Sequence, residues 1–315
     1  MRSIAEIRLP QISKTQSYNK CPKPEVQTEI NNKLMSSDSS FAIRSSALAG
    51  ISFKSNIKAA YVEDKLMQIL DIGKSIKVPV ILDFDQKSIS RIAKDVANNP
   101  EQRRALLISG MSGAGKSTLI DHATRQLRND KIITIIQGDN FYHDISKELK
   151  EAGSFDALLA KGKNLDIPGA VNLEQMAKTI KKLVNGEENI KIPYYDFITG
   201  GVTQDHILLP SIEKGGIVIG DSIFALGPEL KHVRDIGMYV HCPEDVITQR
   251  WYDRAASRGR TGKDADSLYE TVMKSANTHI KAYKDNADIV VNGQANINDS
   301  ADIISQFFKV IASVK

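Results

Sequence analysis

The chain has 315 residues, 41% of them hydrophobic and 25% charged, and its 42 basic and 38 acidic side chains leave a net charge of only +4. That balance suits a soluble globular protein of one large domain, or one domain with an appendage, and excludes the basic footprint of an extended nucleic-acid binder. Cys21 and Cys242 lie too far apart to suggest a disulfide framework, so a reducing, cytoplasmic interior is expected, and no apolar run approaches the roughly 18 residues of a membrane span.

Residues 1–58 read as a flexible N-terminal tail. Pro10, Pro22 and Pro24 interrupt them, Ser36 to Ser40 is a polar run, and Met1 to Arg8 lacks the apolar core of a secretory signal. Too little apolar surface is present there to offset the entropy of ordering. Residues 59–99 read as a small helical and strand adjunct packed on the main domain. Val62, Leu66, Ile69 and Leu70 recur at helical spacing, and Val78 to Leu82 reads as a short strand for which Pro79 argues an edge position or an irregular start. Ile89, Ile92, Ala93 and Val96 make a second apolar stripe, while Asp83 and Asp85 fit a strand exit and a helix start.

Residues 100–315 make the main domain. Strands are predicted at 104–109, 132–137, 216–220, 236–240 and 287–291, and helices near 116–128, 172–184, 244–258, 266–284 and 300–314. The last helix carries Ile303, Ile304, Phe307, Phe308, Ile311 and Val314 on one face behind a cap at Asp299 or Ser300. The fold class is α/β, with a mostly parallel sheet flanked by helices and ligands gathered at the carboxyl ends of its strands.

The first strand of this domain runs into Gly110-Met111-Ser112-Gly113-Ala114-Gly115-Lys116-Ser117, a G-x-x-x-x-G-K-S sequence between a strand and a helix. Glycines let backbone N–H groups wrap a phosphate, and the helix adds the partial positive charge of its N-terminus. Gly110, Ser112, Gly113, Ala114, Gly115, Lys116, Ser117 and Thr118 are the expected ATP-binding set. Lys116, read as an exposed lysine with little packing, would reach the β- and γ-phosphates, and Ser117 would ligate Mg²⁺. Asp139, after the second strand, is placed to accept a proton from an attacking hydroxyl or to help hold Mg²⁺, and Asp221 ends the next strand where a second Mg²⁺-directed carboxylate belongs. Arg250 to Arg260 ends a helix in a basic cluster, which beside a P-loop suits arginines that close over the nucleotide and developing phosphoryl charge, and otherwise fits a solvated helix end.

Taken in order, these segments resemble the uridine kinase family from about Arg104 to Gly293. Besides the P-loop, Asp139-Asn140-Phe141-Tyr142 is similar to the family's Asp-x-Phe-Tyr, Asp166-Ile167-Pro168-Gly169-Ala170 to its Asp-His-Pro-Asp-Ala, and Ile192 to Phe197 to its Pro-x-Tyr-Asp-Phe. Arg258-Gly259-Arg260-Thr261 and Asn286 to Val290 resemble two further segments. The resemblance implies a P-loop kinase domain that transfers the γ-phosphoryl of ATP to a ribonucleoside 5′-hydroxyl with Mg²⁺. It makes Asp139, Lys116, Arg258 and Arg260 catalytic, and assigns Ser117, Asp139 and Asp221 to the metal. Asp166, Tyr142, Tyr195 and Arg250 would bind the substrate, with Asp166 and Arg250 at the ribose and Tyr195 stacking on the base. The implied partners are ATP and a small ribonucleoside-like molecule, without nucleic acid or membrane; a homo-oligomer stays open.

This sequence also departs from the family. Asp221 and Ser222 stand where Glu and Gly are usual, Gly200 and Val202 fall at a base-contacting His and a following Arg, and Leu268 takes the place of a ribose-contacting Gln. An enlarged base pocket with weak base discrimination is therefore expected. A GTPase is disfavoured, since Asp166-Ile167-Pro168-Gly169 has no later Asn-Lys-x-Asp. A kinase of another small hydroxyl compound, such as a vitamin precursor or sugar phosphate, and a non-catalytic nucleotide-binding module are the alternatives.

Overall fold

The computed structural model describes residues 51–257 and 261–312. Residues 1–50, most of the expected tail and Cys21 with it, lie outside the described residues, as do Arg258 and Arg260. The chain begins with helix α1 (Ile51–Ser75), so residues 51–58, assigned to the tail on sequence, are helical. Strand β1 (Ile81–Phe84) and helix α2 (Gln86–Asn98) follow. Asp85 caps α2 through Ser88 N, while Asp83 pairs with Lys74, which accounts for both acids structurally.

A six-stranded sheet organises the rest, in the order β1-β8-β7-β2-β6-β3. Strands β2 (Arg104–Ser109), β3 (Ile133–Gln137), β6 (Ile217–Asp221), β7 (Ile236–His241) and β8 (Ile289–Asn292) run parallel, and β1 pairs antiparallel with β8. Every residue of β2 and β6 is buried, as expected of parallel strands covered on both faces. Helix α3 (Lys116–Asn129) follows the P-loop, and helix α6 (Leu173–Val184), capped by Asn172, lays Met176 and Ile180 over Gly220 of the sheet. Helix α9 (Ile297–Ile311) packs between α1 and α3; its cap is Asn296, three residues before the expected Asp299.

One buried cluster runs from Leu66 through β1 and the central strands to Ala312, so residues 59–99 share the main core. The edge strand foreseen from Pro79 is β1, which starts two residues after that proline, where its missing N–H does no harm. Arg104 is 1% exposed and fixes this seam, donating to the Asp95 carboxylate at 2.6 Å and to the carbonyls of Asp95, Asn99 and Gln102. No helix among the described residues is long and apolar enough to cross a membrane.

A second, two-stranded sheet was not foreseen. Strands β4 (Lys191–Asp196) and β5 (Gly201–Leu208) form an antiparallel hairpin, in which Pro193 had masked the strand pattern. Two short helices, α4 (Ser146–Ala152) and α5 (Phe155–Ala160), precede it. Helix α7 (Glu244–Ser257) and helix α8 (Gly262–Ser275) follow β7, and α8 passes into a π turn at Ala276–Ile280 and a 3₁₀ turn at Lys281–Asn286, which divides the single helix expected over 266–284.

Candidate active site

Three backbone features fix the P-loop between β2 and α3. Gly110, Gly113 and Gly115 have φ of +150°, +90° and +100°, values that side-chain-bearing residues rarely adopt. A Cβ on Gly110 would also lie 2.4 Å from the Val240 carbonyl of β7. Gly115 caps α3 without a side chain, leaving the first turn of the helix, including Thr118, open to a ligand.

Lys116 is 8% exposed, and its ammonium donates to the carbonyls of Gly110 at 2.9 Å and Met111 at 3.3 Å. The expected exposed lysine is therefore a buried one, folded back on its own loop. Burial holds its pKa below the ordinary lysine value, while the carboxylates of Asp221 and Asp139 push the other way. Parallel pairing of β2, β6 and β3 sets Asp221 beside Ile108 on one flank and Gln137 on the other. From that position its carboxylate accepts a 2.7 Å hydrogen bond from the Ser117 hydroxyl.

Asp139 sits in the 3₁₀ turn Gly138–Phe141 directly after β3. A Cβ on Gly138 would meet Ser222 at 2.5 Å, so a small residue here lets the turn close over the end of β6. Asp166 is near enough to Asp139 to feel its charge. Burial first, and then the Asp139 charge, push the Asp166 carboxyl up to about 6, against the opposing pull of Arg254. Tyr142 is buried and near both acids; burial, then Asp166, then Asp139, raise its hydroxyl well above its ordinary range. The Tyr142–Val171 bridge and the Ser275 hydroxyl on the Asp166 carbonyl hold this segment in place. Lys116, Asp139, Tyr142 and Asp166, from three segments of the chain, thus form one electrostatic cluster at the carboxyl end of the sheet.

Other expected residues lie elsewhere. The Arg250 guanidinium, assigned to the ribose with Asp166, instead donates to the carbonyls of Gly293 at 3.0 Å and Gly113 at 3.3 Å on the P-loop side. Arg254, one turn further along α7, is the arginine that acts on Asp166, and it donates to the Ser112 hydroxyl at 2.8 Å. Its four-residue spacing from Arg250 puts both on one helix face, a signal the sequence carried.

Tyr195, expected to offer its face to a base, is 3% exposed. Its ring lies 5.5 Å from Tyr142 and 5.0 Å from Phe197, centroid to centroid, and its buried hydroxyl has no hydrogen-bond partner. Phe197, 48% exposed, is the member of this trio with a ring face to spare. The enlarged pocket expected at Gly200 does not form. A Cβ there would meet Ile145 and Leu149 of the α4 segment at 3.1 Å each, and φ is +66°. Asp144 accepts from Val202 N at 2.9 Å and Ile145 N donates to Gly200 O at 2.8 Å, so the hairpin is pinned shut here. Leu268 packs with Trp251, Tyr252 and Tyr269 between α7 and α8, in a small apolar cluster separate from the main core.

This fold and this arrangement define a P-loop kinase of small molecules. Residues 106–298 match the phosphoribulokinase / uridine kinase family, and the chain belongs to that family. It is 26% identical over 212 residues to a uridine kinase of Lactobacillus johnsonii, spanning 66% of this chain and 95% of the relative. It is also 26% identical over 187 residues to a uridine kinase of Brevibacillus brevis, spanning 58% and 82%. Among solved structures, a possible uridine kinase from Bacillus stearothermophilus is similar at 15% identity and a TM-score of 0.42, covering 73% of this chain and 98% of that one. The family match begins after β1 and α2, so those N-terminal elements lie outside it.

Proposed function

We propose that the protein transfers the γ-phosphoryl of ATP to a hydroxyl of a small, ribonucleoside-like molecule. The observation that carries this reading is the site just described: a buried P-loop lysine acted on by the carboxylates of Asp221 and Asp139, the Ser117 hydroxyl 2.7 Å from Asp221, and Asp166 near Asp139. Lys116, turned inward on its own loop, would swing onto the β- and γ-phosphates, and Gly110, Ser112, Gly113, Ala114, Gly115, Ser117 and Thr118 would surround them. Asp139 would take the acceptor proton as that oxygen bonds to phosphorus and the bridging bond to ADP breaks. Asp166 would hold neighbouring hydroxyls of the acceptor, with Arg254 between it and Ser112 at the tip of the P-loop. Arg258 and Arg260 remain candidates for the closing segment.

Ser117 and Asp221 are hard oxygen donors in contact, which suits Mg²⁺, and Asp139 would complete the protein side of its shell. The ion would supply charge neutralisation between the phosphates.

A second reading, phosphorylation of a compact hydroxyl compound without a base, is favoured by the filled space at Gly200 and the covered ring of Tyr195. An ADP-release assay over nucleosides, sugar phosphates and small alcohols separates the two. Turnover of at least one ribonucleoside above the others is expected. ADP release with a base-free acceptor alone would give the second reading, and none with any acceptor, ATP still bound, would leave a binding module.

A further inference from the structure

Arg250 occupies a position that neither the nucleotide nor the acceptor chemistry above uses. It extends from α7 across the outside of the P-loop, with Nη2 3.0 Å from the Gly293 carbonyl and Nη1 3.3 and 3.5 Å from the carbonyls of Gly113 and Ala114. Gly293 opens the turn after β8, and its N–H donates to His241 O at 2.7 Å, so this anchor belongs to the rigid sheet. The turn and the loop also touch directly, since a Cβ on Gly293 would lie 2.2 Å from the Ala114 carbonyl.

We propose that Arg250 is a positioning residue of the nucleotide site, pinning the outer face of the P-loop to the turn after β8, and is no acceptor ligand. A trans peptide points its N–H opposite its C=O. A guanidinium holding the Ala114 carbonyl therefore turns the Gly115 N–H to the far side of the loop, where a phosphate would lie. Holding Gly113 O in the same way directs Ala114 N–H inward, onto the Met111 carbonyl at 3.0 Å. A planar fork suits this task because it reaches two loop carbonyls with one nitrogen and the Gly293 carbonyl with another. Gly115 is required there by its φ of +100° and not by crowding, since a Cβ would meet Nη1 at an ordinary 3.5 Å.

The inference rests on the P-loop binding ATP, and calorimetric titration of the full chain with ATP tests both. Arg250→Ala and Arg250→Lys should each raise the ATP Kd about tenfold or more at an unchanged melting temperature, because lysine keeps the charge but cannot span the three carbonyls. Wild-type affinity in Arg250→Lys would mean that charge alone suffices, and affinity within about twofold in Arg250→Ala would remove the pinning role; either overturns the inference. A melting temperature lowered in both variants would make Arg250 a residue of the fold and overturn it as well. A wild-type protein that fails to bind ATP would instead sink the nucleotide reading, a separate result.

Discussion

The two halves of the candidate site are built in different ways. The nucleotide half is mostly backbone: glycines at positive φ, a loop pressed against β7 and the turn after β8, and a lysine folded onto its own carbonyls. The acceptor half is mostly side chains on turns and on a hairpin, brought together by Asp144, Ile145 and the ring trio. Backbone geometry needs particular residues at fixed spacing, so it survives as a sequence pattern. Side-chain constellations need only shape and charge in space, and these can be met from several places in the chain.

The largest effect should come from the nucleotide half. Lys116→Ala should lower kcat by ~10³-fold or more in steady-state assays, through loss of charge at the transferring phosphoryl group. Because Lys116 is buried and satisfies two carbonyls, it should also lower the melting temperature, contrary to what an exposed lysine implies. Turnover within tenfold of wild type would detach the P-loop from the chemistry.

Asp139→Asn should come next. The shape is kept but no proton can be taken, so kcat should fall by ~10²-fold while ATP affinity, measured by calorimetry, stays near wild type. Loss of ATP binding alone would move Asp139 to the nucleotide half and blur the contrast between the two.

Gly200→His sharpens the acceptor side. Restoring a family histidine would suggest gained pyrimidine turnover, but the position is left-handed and packed against Ile145 and Leu149. Destabilisation by about 1–3 kcal/mol in denaturant melts, with no gain in uridine kcat/KM, is expected. A more active, equally stable variant would show that the hairpin opens readily.

The smallest effect concerns Asp166 in the nucleotide-free protein. Its carboxyl is pushed up to about 6 from an ordinary 3.8, so the folded state holds this proton more tightly than the unfolded one. Stability from this source falls as pH rises from about 4 to about 6 and stays reduced above that. Asp166→Asn should therefore raise the melting temperature at pH 7 and leave it unchanged near pH 4. An equal shift at both pH values would assign the effect to packing.

Strands β2, β3, β6, β7 and β8 were legible because continuous apolar runs leave little choice, and so were the positions of Asp221 at the end of β6 and Asp139 in the turn after β3. The hairpin was not, since Pro193 breaks its pattern and Tyr194 and Tyr195 face opposite sides with 46% and 3% exposure. Nor could spacing show that Arg250 reaches the carbonyls of Gly113 and Gly293 while Arg254 meets the Ser112 hydroxyl and acts on Asp166. Those partners follow from how α7 lies against the P-loop, a tertiary property.

Strand β1 has a further consequence, for the order in which the chain can assemble. Ile81 pairs with Val291 and Phe84 with Ile289, so an early segment finds its ladder only in a late one. Until β8 exists, Val80 and Ile81 have no sheet to complete, and the helices around them cover no finished core. Such distant pairing carries a large loop-closure cost and favours late docking. During synthesis the N-terminal elements would thus wait, apolar faces exposed, until nearly the whole kinase domain has emerged.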